Sequence, residues 1–327
     1  MTKLNLMKPM FCGCLGVLLS LSACIHEDQH HQNHDHGHHQ NFSEKASLTS
    51  SISSKYLGSY EINDDQHNTQ VTVVVSDDTR TITSNALPNH ATGQFPNKGN
   101  PNTISAQSRK WVLPLTPEFT GDARWVREAG VAVNGVKFEP ETNERVACES
   151  GETYRIEAQQ DMVDLGLDVN NAHVQPTGEY HYHGVSQNLV DFSDQGNDLV
   201  HIGFAADGFL IMYSKGEVYK PSYQLKTEAR SGTDCVYTTP HSSQDIDIDG
   251  TTPDGTYVSD WQYVEGFGDL DSCDGIKVDG QYVYIASEQY PYIGRCVNGK
   301  LTDEQGGKRR GPPPGGDHSR GRPPRGS

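Results

Sequence analysis

Between about residue 70 and residue 287 the chain reads as a series of short apolar runs broken by polar punctuation. "QVTVVV", "RTITSNAL", "KWVLPL", "GVAVNGVKF", "TYRIEA", "LVHIGFA", "FLIMYS", "TYVSDWQYV" and "QYVYIAS" are short and rich in β-branched and aromatic residues. Gly, Pro, Asn and Asp stand between them. No long stretch carries apolar residues at helical spacing. The pattern predicts a mainly β fold: a single antiparallel, sandwich-like domain over residues 52–302. Short helices are expected in it, one near "ETYRIEAQQDMVD".

One run alternates in a different way. In "PTGEYHYHGVSQ", residues 176–187, tyrosine and histidine take turns. Successive side chains of a strand point to opposite faces, so His181 and His183 share one face while Tyr180 and Tyr182 share the other. Two imidazoles so placed can converge on one ion, and the tyrosines can anchor the strand by burying aromatic surface. Two histidines alone are a weak metal signal, and further ligands have to come from elsewhere. His173 lies eight residues upstream, across a turn at Pro176–Gly178 that would fold "LGLDVNNAH" back on the YHYH strand. His201 opens the next strand-like run, and His90 sits in the loop-like "NALPNHATGQFPN". Three imidazoles leave a position open for water or substrate, and four close the site. The metal expected at such ligands is Zn or Cu.

Charge and cysteines set the surroundings. The whole chain carries −17, the first 23 residues carry +2 and the last twenty carry +5, which leaves −24 on residues 24–307. A body so acidic repels nucleic acid and attracts cations. Residues 1–23 have the layout of a secretory signal, with Lys3 and Lys8, an apolar run and small residues. Leu21, Ser22, Ala23 and Cys24 resemble the lipobox of bacterial lipoproteins, which implies lipidation of Cys24. Ile25 in place of Asp implies an outer-membrane address, facing the periplasm or the cell surface. Residues 24–51 hold seven histidines between His26 and His39 and are expected to be a disordered tether that chelates metal loosely. Residues 303–327, basic and rich in Pro and Gly, are expected to be a disordered tail. Four further cysteines remain, and an even count in an exported chain favours two disulfides. Four cysteines allow three pairings; the expected one joins Cys273 to Cys296, stapling the ends of the segment that holds "QYVYIAS", and so Cys148 to Cys235 by elimination.

The run "LGLDVNNAHVQPTGEYHYHG" resembles the YHYH family. The resemblance extends through "SNALPNHATGQFPN", "GVAVNGVKFEP", "GFAADGFLIMY" and "GDLDSCDGIKVDGQYVYIASEQYPYIGRC", or about Ser84 to Cys296. It maps the family's motif onto Tyr180, His181, Tyr182 and His183, and brings Asp168 and His173 with it. The chain departs from the usual family pattern at "DGFLIMY", for D-G-F-P-I-Y, and at "LDSCDG", for L-D-E-C-N-G. The resemblance implies an exported protein and no particular activity.

A second cation signal lies in "DIDIDGTTPDG", where Asp245, Asp247, Asp249 and Gly250 reproduce the opening of a calcium loop. The twelfth position is Thr256 and not Glu, so this is no ordinary EF-hand. The commonest serine hydrolase, zincin and nucleotide-binding motifs are absent. The expected function is therefore binding of a transition metal through His173, His181 and His183 with His201 or His90. One alternative is a surface module that grips an envelope glycan or a protein. Another is a metal-dependent hydrolase with Glu179, Asp168 or Asp207 as general base.

Overall fold

The computed structural model describes residue 52 and residues 54–239 and 242–302. The expected signal, lipidation site Cys24, tether and tail all lie outside the described residues.

The mainly β expectation holds: among the described residues, strands form five sheets and there is one α-helix. The largest sheet has eight strands. From one edge they are Ala172–Val174, Tyr180–Tyr182, Lys137–Phe138, Gly130–Ala132, Leu199–Ala205, Leu210–Ser214, Gln281–Ala286 and Gly275–Val278. Most pairs are antiparallel, but Tyr180–Tyr182 runs parallel to Lys137–Phe138, and Leu210–Ser214 runs parallel to Gln281–Ala286. Parallel neighbours need long crossovers, and these connections have the length for it. Apolar alternation reports burial and is blind to the direction of the neighbour.

A four-stranded sheet of Tyr60–Asp64, Thr69–Ser76, Thr79–Ser84 and Arg109–Pro114 shares the main core with the eight-stranded sheet. Val71, Val73, Ile82, Trp111 and Leu113 meet Phe138, Ile202, Phe204, Tyr180 and Tyr182 there. Thr69–Ser76 shows the alternation seen in its sequence, with Thr69, Val71 and Val73 buried and the residues between them exposed. Phe119–Trp125 has no buried residue at all, which is why it carries no readable pattern.

Both expected disulfides are formed. Cys148 and Cys235 are direct cross-strand partners, joining Arg145–Cys148 to Cys235–Thr238. Cys273 is joined to Cys296. Their sequence separations of 87 and 23 residues correspond, through lost loop entropy, to roughly 4–5 and 3 kcal/mol.

The helix expected near "ETYRIEAQQDMVD" is not formed. Thr153–Arg155 is a strand, and its Tyr154 and the following Ile156 pack into a second core with Val146 and Tyr257. Tertiary packing outweighs the helix-forming residues there. The one α-helix is Gln187–Ser193, just after the YHYH motif. Ser186 caps it by accepting the Leu189 N–H, and Leu189 and Val190 anchor it in the core.

Candidate metal centre

The site is built on a hairpin. Gly178 adopts φ +86° and donates its N–H to the Gln175 carbonyl at 2.8 Å, closing the turn over Pro176 and Thr177. A left-handed backbone is cheap only for glycine. The turn sets the register: Ala172 faces Tyr182, His173 faces His181, and Val174 faces Tyr180. The upstream segment therefore folds back as the turn residues predict. His183 follows the strand directly, held by its N–H to the Asn171 carbonyl at 2.8 Å.

This register brings His173, His181 and His183 together. Their ring centroids form a nearly equilateral triangle, with sides of 4.8, 4.6 and 4.7 Å. One ligand atom from each lies within 4.8 Å of the others, and no other such group of three His, Cys, Asp or Glu exists among the described residues. A tetrahedral ion with metal–nitrogen bonds near 2.0–2.1 Å needs its nitrogens roughly 3.3 Å apart. Movements of about one ångström at the ring tips complete the set.

Hydrogen bonds decide which nitrogens are free. His173 Nδ1–H donates to the Leu165 carbonyl at 2.8 Å, which leaves Nε2 with its lone pair. His181 Nδ1 faces the Glu179 carbonyl at 3.3 Å, with the same consequence. His183 Nε2 stands 3.0 Å from His173 Nε2. Since the His173 nitrogen is bare, that distance needs either a proton or a cation between the two. His183 Nδ1 is buried without a hydrogen-bond partner. Imidazoles anchored through Nδ1 to backbone carbonyls, with Nε2 converging, are the arrangement that metal-binding histidines use.

The protonation states suit ligation as well. Burial pushes the pKa of His173 down, against the hydrogen bond to Leu165. Burial pushes His181 and His183 well below the usual histidine value, and their mutual proximity and that of His173 add to it. All three are neutral at pH 7, the form a metal requires.

One side of the triad is open. With Gly99–Asn102, Arg127, Glu139, Glu141–Glu144, Leu165 and Val174–Pro176, the three histidines line a cavity of about 170 Å³. Beside it runs a buried charge network. Lys137, placed against His181 by the parallel pairing, reaches Glu139 at 2.6 Å, Gln175 at 3.0 Å and Glu179 at 3.3 Å. Glu179 in turn is held by Arg109 at 2.8 Å, which also binds Glu128. Burial would raise the Glu139 carboxyl, but Lys137 and Arg127 hold it below the usual range.

The remaining expected residues are elsewhere. His90 lies on the tyrosine face: its Nε2 meets the Tyr182 hydroxyl at 2.6 Å and its Nδ1 meets the Ala91 carbonyl. His201 is spent on Ser54 Oγ at 2.8 Å and the Gly203 carbonyl at 2.9 Å, and burial drives its pKa down to about 3. With both nitrogens engaged, neither ring joins the triad. Asp245 lies in the strand Ser243–Ile246, and Asp245, Asp247 and Asp249 form no metal-holding group.

None of the three carboxylates expected as general base is free. Asp168 accepts the Tyr180 hydroxyl and the backbone N–H groups of Gly93 and Asn170. Asp207 is buried with Tyr284 and Gly299. Glu179 is held by Arg109 and Lys137. The cavity carboxylates Glu139, Glu141 and Glu144 were not singled out from sequence. The charges flanking Phe138 in "VKFEP", within a strand that the pattern reads as buried, are the one signal that pointed there.

Fold and site together define a mainly β protein, cross-linked by two disulfides, with a three-histidine cluster at the edge of its largest sheet. The family described as YHYH protein matches residues 110–299, more than half of the chain, and the chain belongs to that family. No curated protein and no solved structure matches it.

Proposed function

We propose that this YHYH protein is an exported, membrane-anchored protein that binds one transition-metal ion, Zn or Cu, through Nε2 of His173, His181 and His183. The observation that carries the reading is the convergence of three neutral imidazoles, two of them tied through Nδ1 to backbone carbonyls, with His183 and His173 nitrogens 3.0 Å apart. A shared proton can hold two of these nitrogens together, and a cation bound by all three in place of that proton satisfies the whole cluster. Imidazole nitrogens without thiolates suit Zn and Cu alike. Export and a lipid on Cys24, with an outer-membrane address, are supported by Lys3 and Lys8, the apolar run and "LSAC". The histidine-rich residues 24–51 then gather metal near the domain.

The test is elemental analysis of the full chain, exported so that its disulfides form, with the seven histidines between His26 and His39 replaced by serine. One equivalent of Zn or Cu is expected, and none in the same protein carrying His181→Ala and His183→Ala. Equal metal in both proteins would sink the reading, as would none in a folded parent.

A further inference from the structure

Among the described residues the triad has three ligands and no fourth. The space on its open side is the cavity of about 170 Å³, not protein. His173 is the half-buried member, while His181 and His183 are 2% exposed, so the cavity reaches the triad past His173.

The charges that line the cavity differ in how far they are spent. Glu139 is bound by Arg127, Lys137 and Gln175. Glu141 is paired with Arg155. Glu144 accepts only the Asn143 N–H, at 3.0 Å, and forms no ion pair among the described residues. It is half-buried, and it is the charged group that acts most on His173. Lys137 and Arg127 answer Glu139 and Arg155 answers Glu141, which leaves Glu144 as the lining carboxylate without an ion pair among the described residues.

Given the metal-binding reading above, we propose that the centre keeps a coordination position open to this cavity. The position takes a small molecule that gives a lone pair to the metal and an O–H or N–H to the free carboxylate of Glu144. Water, an alcohol and a hydroxamic acid fit that description. A small anion without a hydrogen to donate fits less well, because it meets the negative charge of Glu144 and gives that carboxylate no hydrogen bond. Glu144 thus replaces Asp168, Asp207 and Glu179 as the group able to orient a water on the metal and accept its proton.

The experiment uses the full chain with the tether histidines replaced by serine, loaded with cobalt(II) alone and followed by its visible spectrum. Acetohydroxamic acid should change the spectrum saturably, and azide should bind at least about tenfold more weakly. Glu144→Gln should raise the hydroxamic acid Kd about tenfold, the loss of one charge-assisted hydrogen bond, with cobalt stoichiometry unchanged. Glu144→Asp should recover part of that loss, and both variants should melt with the parent. A spectrum that neither ligand alters would overturn the open position. Azide binding as tightly as the hydroxamic acid, or a Glu144→Gln Kd equal to the parent's, would overturn the role of Glu144. A parent that takes up no cobalt overturns the metal reading itself, and this is visible before any ligand is added.

Discussion

The two faces of the YHYH strand differ in how completely their polar atoms are satisfied. On one face the Tyr180 hydroxyl donates to Asp168 at 2.8 Å, and the Tyr182 hydroxyl meets His90 at 2.6 Å and Asn134 at 3.0 Å. Both rings are fully buried against Phe95, Phe138 and each other. On the other face, His181 and His183 are nearly as deeply buried, yet His183 Nε2 meets only the nitrogen of His173 and His183 Nδ1 lacks a partner. Buried polar groups are nearly always paired, so the tyrosine face is a finished piece of core, while the histidine face gathers three imidazoles that could hold a metal. Neighbouring residues on one backbone can thus serve stability and function separately.

The largest expected break of that contrast comes from the tyrosine face. Tyr182→Ala should cost about 3–5 kcal/mol in chemical denaturation, because it empties a full aromatic volume from the core. His181→Ala should cost clearly less in the metal-free protein, since it removes a poorly satisfied polar ring. Equal losses would erase the distinction between the faces.

A somewhat smaller effect should appear only on the histidine face. Zn at one hundred times its Kd should stabilise the parent by about 2.7 kcal/mol, read as a rise in Tm, and should leave the His181→Ala, His183→Ala protein unchanged. Tyr182→Phe should retain the full metal response while losing about 1–3 kcal/mol of stability, because His90 and Asn134 then lack their hydroxyl partner.

The pH dependence sharpens the comparison further. In the metal-free protein, His181, His183 and His201 are held neutral by burial, with folded pKa values below the unfolded value near 6.5. The unfolded chain therefore binds more protons than the folded one once the pH drops below about 6.5. Stability should fall through that window down to the lowered values, which for His201 is about 3. His201→Gln should flatten part of the slope in denaturation curves between pH 6.5 and 4, whereas Tyr180→Phe should leave the slope alone.

The smallest expected change lies away from the strand. Asp274 is 1% exposed, has φ +61° and leaves Oδ1 without a partner. Burial and the neighbouring Asp271 push its pKa well up. A raised carboxyl pKa means stability is present at low pH and lost as pH rises from about 4 through the folded value. Asp274→Asn should therefore raise Tm by a few degrees at pH 8 and change little near pH 4, since about 1 kcal/mol moves Tm by that amount in a domain of this size.

Much of the molecule was legible from residues alone because local patterns carried it. The strand runs, the presence of two disulfides and the turn at Pro176–Gly178 follow from side-chain alternation, cysteine count and turn chemistry, while which of the three possible pairings forms is decided by the packed strands. The division of the YHYH motif into two faces, and the reach of His173 toward it, follow from strand periodicity and that turn. What could not be read depends on which segments meet. His90 and His201 are as plausible as His173 in one dimension, but Tyr182 claims the first and a sheet-centre position with Ser54 claims the second. The parallel placement of Lys137 against His181, and the enclosure of Glu144 in the cavity beside His173, arise from chain crossovers of tens of residues. Alternation along a strand tells which way a side chain points, and only the packed sheet decides what it meets there.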